Sequence, residues 1–271
     1  MTDPVIVEQL DGGIVVATLN SPGTRNALSV DMSRRLSRVL ADADSDDSVR
    51  VVIITGSPPA FCAGADLSRG SSVFAAPTSD DFSACPLDPT PSSIRKPVIA
   101  AVNGHAIGIG LTIALHCDLR VMARDAKYGI VQVRRGAMPD AFSHWTLPRL
   151  VGLAAAADLL LTGRTFDGHE AERLGVASRV VPADEVLAVA IEIATDIVTH
   201  TSPLSVALTK RLLWRSFESD LSEVGAAETR GHRELYSHAD AREGVSAFLE
   251  GRVPTWRTSV PRDWPADRPD F

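Results

Sequence analysis

Residues 97–118 decide the fold of this chain, and they read PVIAAVNGHAIGIGLTIALHCD. The apolar, β-branched run Val98 to Val102 predicts a buried strand. Asn103-Gly104 interrupts that run, and the apolar run Leu111 to Leu115 predicts a helix directly after it. The stretch therefore predicts a strand, a turn and a helix in direct succession.

Three glycines, at positions 104, 108 and 110, mark the start of the predicted helix. Glycine has no side chain, so a ligand can approach the backbone closely there. The N–H groups of a first helical turn have no partner within the helix and point toward any negative charge that develops nearby. Such N–H groups form an oxyanion hole. A tightly packed strand-helix crossover in an α/β core explains the same spacing, so this stretch alone leaves both interpretations open.

A second stretch, AFCAGADL at 60–67, follows another predicted strand at 49–55. Its small residues Ala63, Gly64 and Ala65 leave backbone N–H groups accessible. Asp66 is expected to cap the following turn. Together the two stretches offer two backbone donors to one oxygen atom.

These motifs resemble those of the enoyl-CoA hydratase/isomerase, or crotonase, superfamily. Its members share an F-x-A-G-A-D-L segment and an A-x-x-N-G-x-A-x-G-x-G segment, which match Phe61 to Leu67 and Ala100 to Gly110 here. Further similar segments are NSPGTRNAL at 20–28, LTGR at 161–164 and REGVSAFL at 242–249. The resemblance covers nearly the whole chain, and several ordered motifs are more specific than any one of them.

The resemblance implies an α/β fold, the crotonase-type spiral of repeated β-β-α units, with a C-terminal α-helical oligomerisation region. We expect the spiral core over residues 1–200 and the helical region over 201–271. Homotrimers or dimers of trimers are the expected assemblies.

The resemblance also implies that the ligand is an acyl-CoA thioester. The expected oxyanion hole consists of the N–H groups of Ala65 and Ile109, although the superfamily usually has glycine where Ile109 stands. Arginine suits phosphate because its fork binds two oxygens at once, though a solvated arginine in a turn is the alternative for Arg25. The residues expected to contact the coenzyme A thioester are Arg25, Ala63, Asp66, Leu67, Gly108, Thr112 and Gln132.

Hydratases of this superfamily use two glutamates to add water across the double bond. Position by position, the first falls on Thr112 and the second on Gln132, which lies in a predicted extended segment at 126–133. Neither residue is a carboxylate. Threonine and glutamine orient a water molecule but do not take its proton near neutral pH.

Asp140 stands where some superfamily isomerases carry a single catalytic carboxylate. One carboxylate can remove a proton at C2 and return it at C4. Aspartate after proline, before an apolar helical run to Leu150, is also typical of a helix N-cap, so that alternative stays open. His144, one helical turn on, either tunes Asp140 or is a surface histidine. His116 is expected to lie in the core, without a metal role.

These residues leave three candidate functions open. The first is a double-bond isomerase of the Δ3,Δ2-enoyl-CoA type, and the second is an enoyl-CoA hydratase of fatty-acid oxidation with a non-standard site. The third is an inert acyl-CoA-binding protein that keeps the binding frame. No metal and no cofactor beyond the coenzyme A of the substrate are expected.

Composition excludes several other classes. The chain has 271 residues, 45% of them hydrophobic, and a net charge of −7, which argues against a nucleic-acid partner. Its three cysteines form no C-x-x-C motif, which is typical of a reducing, cytoplasmic location. We find no secretory signal and no apolar run of the about 20 residues that a membrane span requires. The Gly-, Ser- and Pro-rich segment 69–91 is expected to lie beside the acyl pocket, with Phe74, Phe82 and Leu87 as candidates for substrate choice.

Overall fold

The computed structural model describes residues 3–68, 70 and 83–265. Phe74 and Phe82 lie outside the described residues, so their expected role at the acyl pocket stays a prediction. Leu87 is described, and its side chain is buried in the main core.

A six-stranded sheet forms the centre of the molecule, with strand order β1-β2-β3-β5-β7-β10. All its neighbours pair in parallel except β1 and β2. Every residue of β3 and β5 is buried, which is expected of parallel strands covered on both faces. The strands are β1 (Val5–Leu10), β2 (Ile14–Leu19), β3 (Val51–Gly56), β5 (Val98–Val102), β7 (Leu119–Ala123) and β10 (Arg179–Val181).

A second, smaller sheet has the strand order β4-β6-β8-β9. The strand β4 (Ala60–Cys62) pairs in parallel with β6 (His105–Ile107), and β6 pairs in parallel with β8 (Tyr128–Gly129). The last strand, β9 (Thr165–Phe166), is antiparallel to β8. From β3 to β8 the strands of the two sheets alternate along the chain, since β3 leads to β4, β5 to β6 and β7 to β8. The helix α2 (Ile109–Leu115) follows β6 and the helix α3 (Ser143–Thr162) follows β8, in agreement with the predicted β-β-α units.

Helices cover the large sheet and complete the C-terminal part of the chain. The first helix has a side-chain N-cap, because the Ser29 side chain accepts a hydrogen bond from the Met32 N–H. The helices are α1 (Val30–Ser45), α2 (Ile109–Leu115), α3 (Ser143–Thr162), α4 (Gly168–Leu174), α5 (Val186–His200), α6 (Pro203–Arg215), α7 (Leu221–Ser237), α8 (Ala239–Glu250) and α9 (Val260–Asp263).

The segment at 126–133 differs from the prediction of an extended segment. Only Tyr128–Gly129 forms a strand, and Gln132–Arg135 forms a 3₁₀ helix that ends at Gly136 in the left-handed region. Once β8 has paired with β6, the chain turns back toward α3. The prediction of one extended segment did not include that turn.

The helix α3 consists of two helical stretches, the predicted one to about Leu150 and a second one to Thr162, separated by a break at Gly152, whose φ is 77° and ψ is 160°. Among the described residues, α3 is the helix whose length and composition would allow it to cross a membrane. A span needs about 30 Å of continuous helix, and the break leaves two halves, each of about half that length. Several of its side chains, such as Leu147 and Leu159, pack in the main core.

The C-terminal helices have a small apolar cluster of their own, which contains Leu204, Leu208, Leu235 and Trp264. Lys210 of α6 attaches this part to the sheet. Its ammonium donates to the carbonyl oxygens of Pro91 and Lys96, at 2.7 and 2.8 Å, and pairs with Asp118 at 2.8 Å.

Candidate active site

Two turns with accessible backbone lie side by side because β4 and β6 are parallel neighbours. Each turn follows the carboxyl end of its strand, so both leave the small sheet at the same edge. A Cβ added to Gly64 would lie 3.0 Å from the Ile107 carbonyl oxygen. A Cβ added to Gly110 would lie 2.4 Å from the Cys62 carbonyl oxygen. Both glycines are therefore needed for the two turns to approach each other this closely.

The two N–H groups predicted to form an oxyanion hole belong to these turns. Ala65 is exposed, and Ile109 is the first residue of α2. Within the described part of the chain, neither N–H donates a hydrogen bond to another backbone group. The side chain of Ile109 is only 4% exposed and packs in the main core.

Arg25 lies next to the first of these turns. Its carbonyl oxygen accepts a hydrogen bond of 3.0 Å from the Ala63 N–H, and its side chain is exposed. Leu28 pairs with Ala65 in a parallel bridge, which continues this contact along the turn. The structure thus brings Arg25 and Ala63 together, and their contact with a coenzyme A thioester stays a prediction.

Asn26 is a structural residue of this region that sequence reasoning missed. It is fully buried with a φ of 56°. Its side chain donates to the carbonyl oxygens of Ser57 and Ala60, both at 2.7 Å, and accepts from the Ser21 N–H at 2.9 Å. These bonds hold the turn that carries Arg25. Asparagine after a Pro-Gly turn is enriched in the left-handed region, and that is the signal that points to it.

Asp66 caps its turn as expected, since its carboxylate accepts a hydrogen bond of 2.9 Å from the Ser68 N–H. The neighbouring side chain of Leu67 is 43% exposed. An exposed leucine beside the two turns provides apolar surface next to the expected thioester site.

The Asp140 carboxyl lies against the residue where the resemblance places the first hydratase glutamate. Thr112 is fully buried, and its hydroxyl donates to Asp140 Oδ1 at 2.8 Å. The side chain of Asp140 is half-buried. Burial raises the pKa of Asp140, while the neighbouring side chains of Thr112 and Gln132 lower that pKa by a smaller amount. The net direction is upward, so the carboxyl is easier to protonate than an ordinary aspartate.

The alternative that Asp140 is an N-cap is wrong. The N-cap of α3 is Phe142, and no side chain caps that helix end. Asp140 contributes only its backbone carbonyl oxygen, which accepts from the Ser143 N–H at 3.0 Å. Its carboxyl points instead toward Thr112, which was not visible in the sequence because 28 residues separate the two.

Gln132 lies near this carboxyl, and Gly108 lies next to the Gln132 side chain. The side chain of Gln132 is 9% exposed, and neither its amide nitrogen nor its amide oxygen has a hydrogen-bond partner among the described residues. Gln132 therefore influences Asp140 through its nearby dipole rather than through a well-formed hydrogen bond. Gly108 has a φ of 55°, and a Cβ added there would lie 3.5 Å from the Gln132 amide nitrogen.

The two histidines near Asp140 differ in burial. His144 is exposed on α3, in agreement with a surface histidine. His116 is 5% exposed and packs in the core, as predicted. No group of three His, Cys, Asp or Glu side chains with the arrangement of a metal site occurs among the described residues.

Fold and site together define a class of α/β protein in which turns after two parallel strands carry backbone N–H groups that donate to no backbone group among the described residues, in the same site as a half-buried carboxyl. The sequence model of the enoyl-CoA hydratase/isomerase family matches residues 9–259, and the chain belongs to this family.

Relatives and solved structures agree with that assignment. A probable enoyl-CoA hydratase from Mycobacterium tuberculosis is 38% identical over 255 residues, which cover 94% of this chain and 98% of the relative. A 2,3-dehydroadipyl-CoA hydratase from Escherichia coli is 35% identical over 244 residues, covering 90% and 95%. The crystal structure of a probable enoyl-CoA hydratase/isomerase from Mycobacterium abscessus superposes with a TM-score of 0.90 at 48% identity. The match covers 94% of this chain and 100% of that one.

Proposed function

We propose that the protein is an acyl-CoA double-bond isomerase. It converts a 3-enoyl-CoA, with its double bond between C3 and C4, into a 2-enoyl-CoA, with its double bond between C2 and C3, and it uses one carboxyl group, that of Asp140. The observation that carries the proposal is the hydrogen bond from Thr112 to Asp140. This bond turns a half-buried carboxyl toward the place where a hydratase of the family would carry its first glutamate.

The chemistry requires a base, an acid and a site for negative charge. Asp140 takes the proton from C2, and the electrons of that C–H bond move toward the thioester and form an enolate oxygen. The N–H groups of Ala65 and Ile109 stabilise this oxygen through hydrogen bonds. When the enolate collapses, its electrons form the double bond between C2 and C3, the double bond between C3 and C4 breaks, and the electrons of that bond take the proton from Asp140 at C4. One carboxyl thus acts first as base and then as acid.

Burial makes Asp140 better suited to this work than an exposed aspartate. A general base is most effective when its pKa lies near the working pH, and desolvation moves the pKa of Asp140 in that direction. The Thr112 hydroxyl orients the carboxylate by donating to one oxygen, which leaves the other oxygen available for the proton. In this proposal neither a metal nor a separate cofactor takes part.

Hydration of an enoyl-CoA is the second candidate, because the curated relatives are named hydratases. Water addition needs a group that takes the proton of water and a group that delivers one to the α-carbon. Thr112 and Gln132 supply neither at neutral pH. Hydration would then depend on Asp140 alone, and we expect it to be slow.

The substitution Asp140→Asn tests the proposal. Asparagine still accepts the hydrogen bond from Thr112 but cannot take a proton, so isomerisation of a 3-enoyl-CoA should fall by about 10²–10⁴-fold. Acyl-CoA affinity, measured by calorimetry, should stay unchanged. Asp158→Asn removes an exposed carboxylate on α3 and serves as the control with full activity. Fast hydration that survives Asp140→Asn would contradict the proposal in favour of the hydratase, and acyl-CoA binding without any turnover would identify an inert binding protein.

Assembly into homotrimers, or dimers of trimers, is part of the same proposal. It is supported by exposed apolar side chains on the C-terminal helices, such as Phe248 and Leu249, which are 83% and 77% exposed. Analytical ultracentrifugation would distinguish a monomer, a trimer and a hexamer. A monomer at all concentrations would contradict this part of the proposal.

A further inference from the structure

His116 connects the end of α2 to the loop that carries Asp140. Its Nε2 lies 2.8 Å from the carbonyl oxygen of Ala141, the residue directly after Asp140. Its Nδ1 lies 3.0 Å from the Ser92 hydroxyl. His116 therefore bridges a fixed part of the core and the backbone next to the carboxyl.

The chemistry of the two partners determines the tautomer. A carbonyl oxygen only accepts, so His116 Nε2 must carry the hydrogen that reaches Ala141. In a neutral imidazole the other nitrogen, Nδ1, then accepts the hydrogen of the Ser92 hydroxyl. The Thr90 hydroxyl, 3.1 Å from Ser92, is left to donate to the Ser92 oxygen. Burial lowers the pKa of His116, which favours the neutral ring that this chain of bonds needs.

The backbone held by His116 would not adopt its conformation by local preference. Ala141 and Phe142 have φ values of 43° and 53°, in the left-handed region that residues other than glycine rarely adopt. Two successive residues of this kind persist only where their surroundings hold them. The Ala141 N–H donates to the Ala84 carbonyl oxygen at 3.2 Å, and the Ala141 carbonyl oxygen is held by His116.

Aromatic contacts fix the orientation of the imidazole ring. The ring of Phe142 meets it edge to face at 5.6 Å, and Trp214 stacks on it at 6.3 Å with an interplanar angle of 10°. The indole N–H of Trp214 in turn donates to Asp118 at 2.8 Å. The ring therefore contacts both left-handed residues and is itself packed against α6.

We infer that His116 is a positioning residue, which holds the left-handed Ala141-Phe142 pair so that the Asp140 carboxyl faces Thr112 and the substrate. The inference rests on the proposed function for its kinetic consequence. Its structural consequence, the placement of Asp140, does not depend on which reaction the site performs.

Two substitutions of the same residue test this role. His116→Leu fills the space but removes the donor to Ala141, whereas the side-chain nitrogen of His116→Gln can reach the position of Nε2 and donate there. We expect His116→Leu to lower kcat by about 10- to 100-fold, with KM unchanged, because a misplaced base slows the chemical step more than binding. His116→Gln should restore most of that loss. Cys117→Ala, a neighbouring buried change that leaves Ala141 untouched, is the matched control and should keep full kcat.

The titration of Asp140, followed by carbon NMR of labelled aspartate and assigned with Asp140→Asn, is the readout that needs no turnover. In the natural protein the carboxyl should titrate above the ordinary aspartate range, and in His116→Leu it should move back toward that range as the loop opens to water. His116→Gln should titrate like the natural protein. An unchanged Asp140 titration in His116→Leu would overturn the inference, as would equal losses of kcat in His116→Leu and Cys117→Ala. If the natural protein isomerises no 3-enoyl-CoA, the proposed function fails, while the titration still decides the role of His116.

Discussion

The half-buried carboxyl of Asp140 affects both the proposed reaction and the stability of the fold, in opposite directions. Burial raises the pKa of this group in the folded state above that of an ordinary aspartate. The folded protein therefore holds this proton more tightly than the unfolded chain. The stabilisation that comes from this tighter proton binding is fully present below the pKa of Asp140 in the unfolded chain, and it is lost as the pH rises through the pKa of Asp140 in the folded state. At neutral pH the ionised carboxyl lowers the free energy of unfolding, and the proposed reaction requires the carboxyl in this ionised form.

Asp140→Asn should therefore stabilise the protein at neutral pH, because asparagine keeps the Thr112 hydrogen bond without a buried charge. We expect a gain of about 0.5–2 kcal/mol in the free energy of unfolding at pH 7. The gain should shrink as the pH falls toward the ordinary range of aspartate. Urea unfolding at several pH values measures this difference. A loss of stability at pH 7 would show that the ionised carboxyl contributes favourably to the fold.

Thr112 should control the pH dependence of the site. Its hydroxyl donates to Asp140 and thereby lowers the pKa of that carboxyl. Thr112→Val keeps the shape and removes the donor, so the pKa of Asp140 should rise further. The rate of a reaction that needs the ionised carboxyl should then begin to fall at a higher pH on acidification. A pH profile of kcat for both proteins checks this, and an acid limb that moves to lower pH would contradict it.

At the scale of elements, the site depends on how closely α2 approaches β4. Gly110 lies in the first turn of α2, and an added Cβ would meet the carbonyl oxygen of Cys62 at 2.4 Å and its Cβ at 2.7 Å. Both atoms are fixed by the core, so neither can move away cheaply. The two turns that carry Ala65 and Ile109 are kept together by this contact.

Gly110→Ala should thus separate the turns and destabilise the fold by about 3 kcal/mol, the upper end of the usual cost of overpacking. Acyl-CoA affinity should fall with it. Gly225→Ala in α7 is the matched control, since nothing lies within 4 Å of an added Cβ there. Alanine is the better helix former, so this control should gain up to about 1 kcal/mol. Thermal unfolding and calorimetry of both variants measure these effects, and equal stability of both would contradict the argument.

For the whole molecule, one buried lysine joins the C-terminal helices to the sheet. Lys210 is 5% exposed, and its partner Asp118 also accepts hydrogen bonds from the Val98 N–H and from Trp214. Asp118 therefore connects the start of β5 with α6. Since Trp214 also stacks on His116, a movement of α6 would reach the Asp140 loop.

Lys210→Met should cost about 3 kcal/mol, because it leaves a partly buried carboxylate and two carbonyl groups without their common partner. Arg173→Met is the control, since Arg173 is 69% exposed in its ion pair with Glu170. Exposed pairs contribute about 0–1 kcal/mol, so the control should change little. Urea unfolding of both variants makes the comparison, and similar small losses would show that α6 is held by its apolar contacts alone.

Local sequence patterns were sufficient to predict much of the structure of this protein. The strand β5, the helix α2 and the cap at Asp66 all follow from residues within a few positions of each other, where backbone preference and short-range hydrogen bonds dominate. The ordered motifs were sufficient to indicate the family and the two turns of the expected thioester site. For the segment 126–133 the prediction of an extended chain was wrong beyond Gly129, because pairing of β8 with β6 ends there and the chain then turns into a 3₁₀ helix.

The remaining features are contacts between residues that are distant in sequence. The sequence left open whether Asp140 caps a helix or acts as a base. The structure excludes the cap, because Phe142 is the N-cap and the Asp140 carboxyl faces Thr112, 28 positions earlier. The bond between His116 and the Ala141 carbonyl oxygen, and the burial of Lys210 against Asp118, have no local signature either. Sequence by itself determined which residue types were present and where strands and turns begin, since those depend on near neighbours. Only the tertiary structure decided which buried polar group faces which, because a hydrogen-bond partner is selected by the packing of the whole chain.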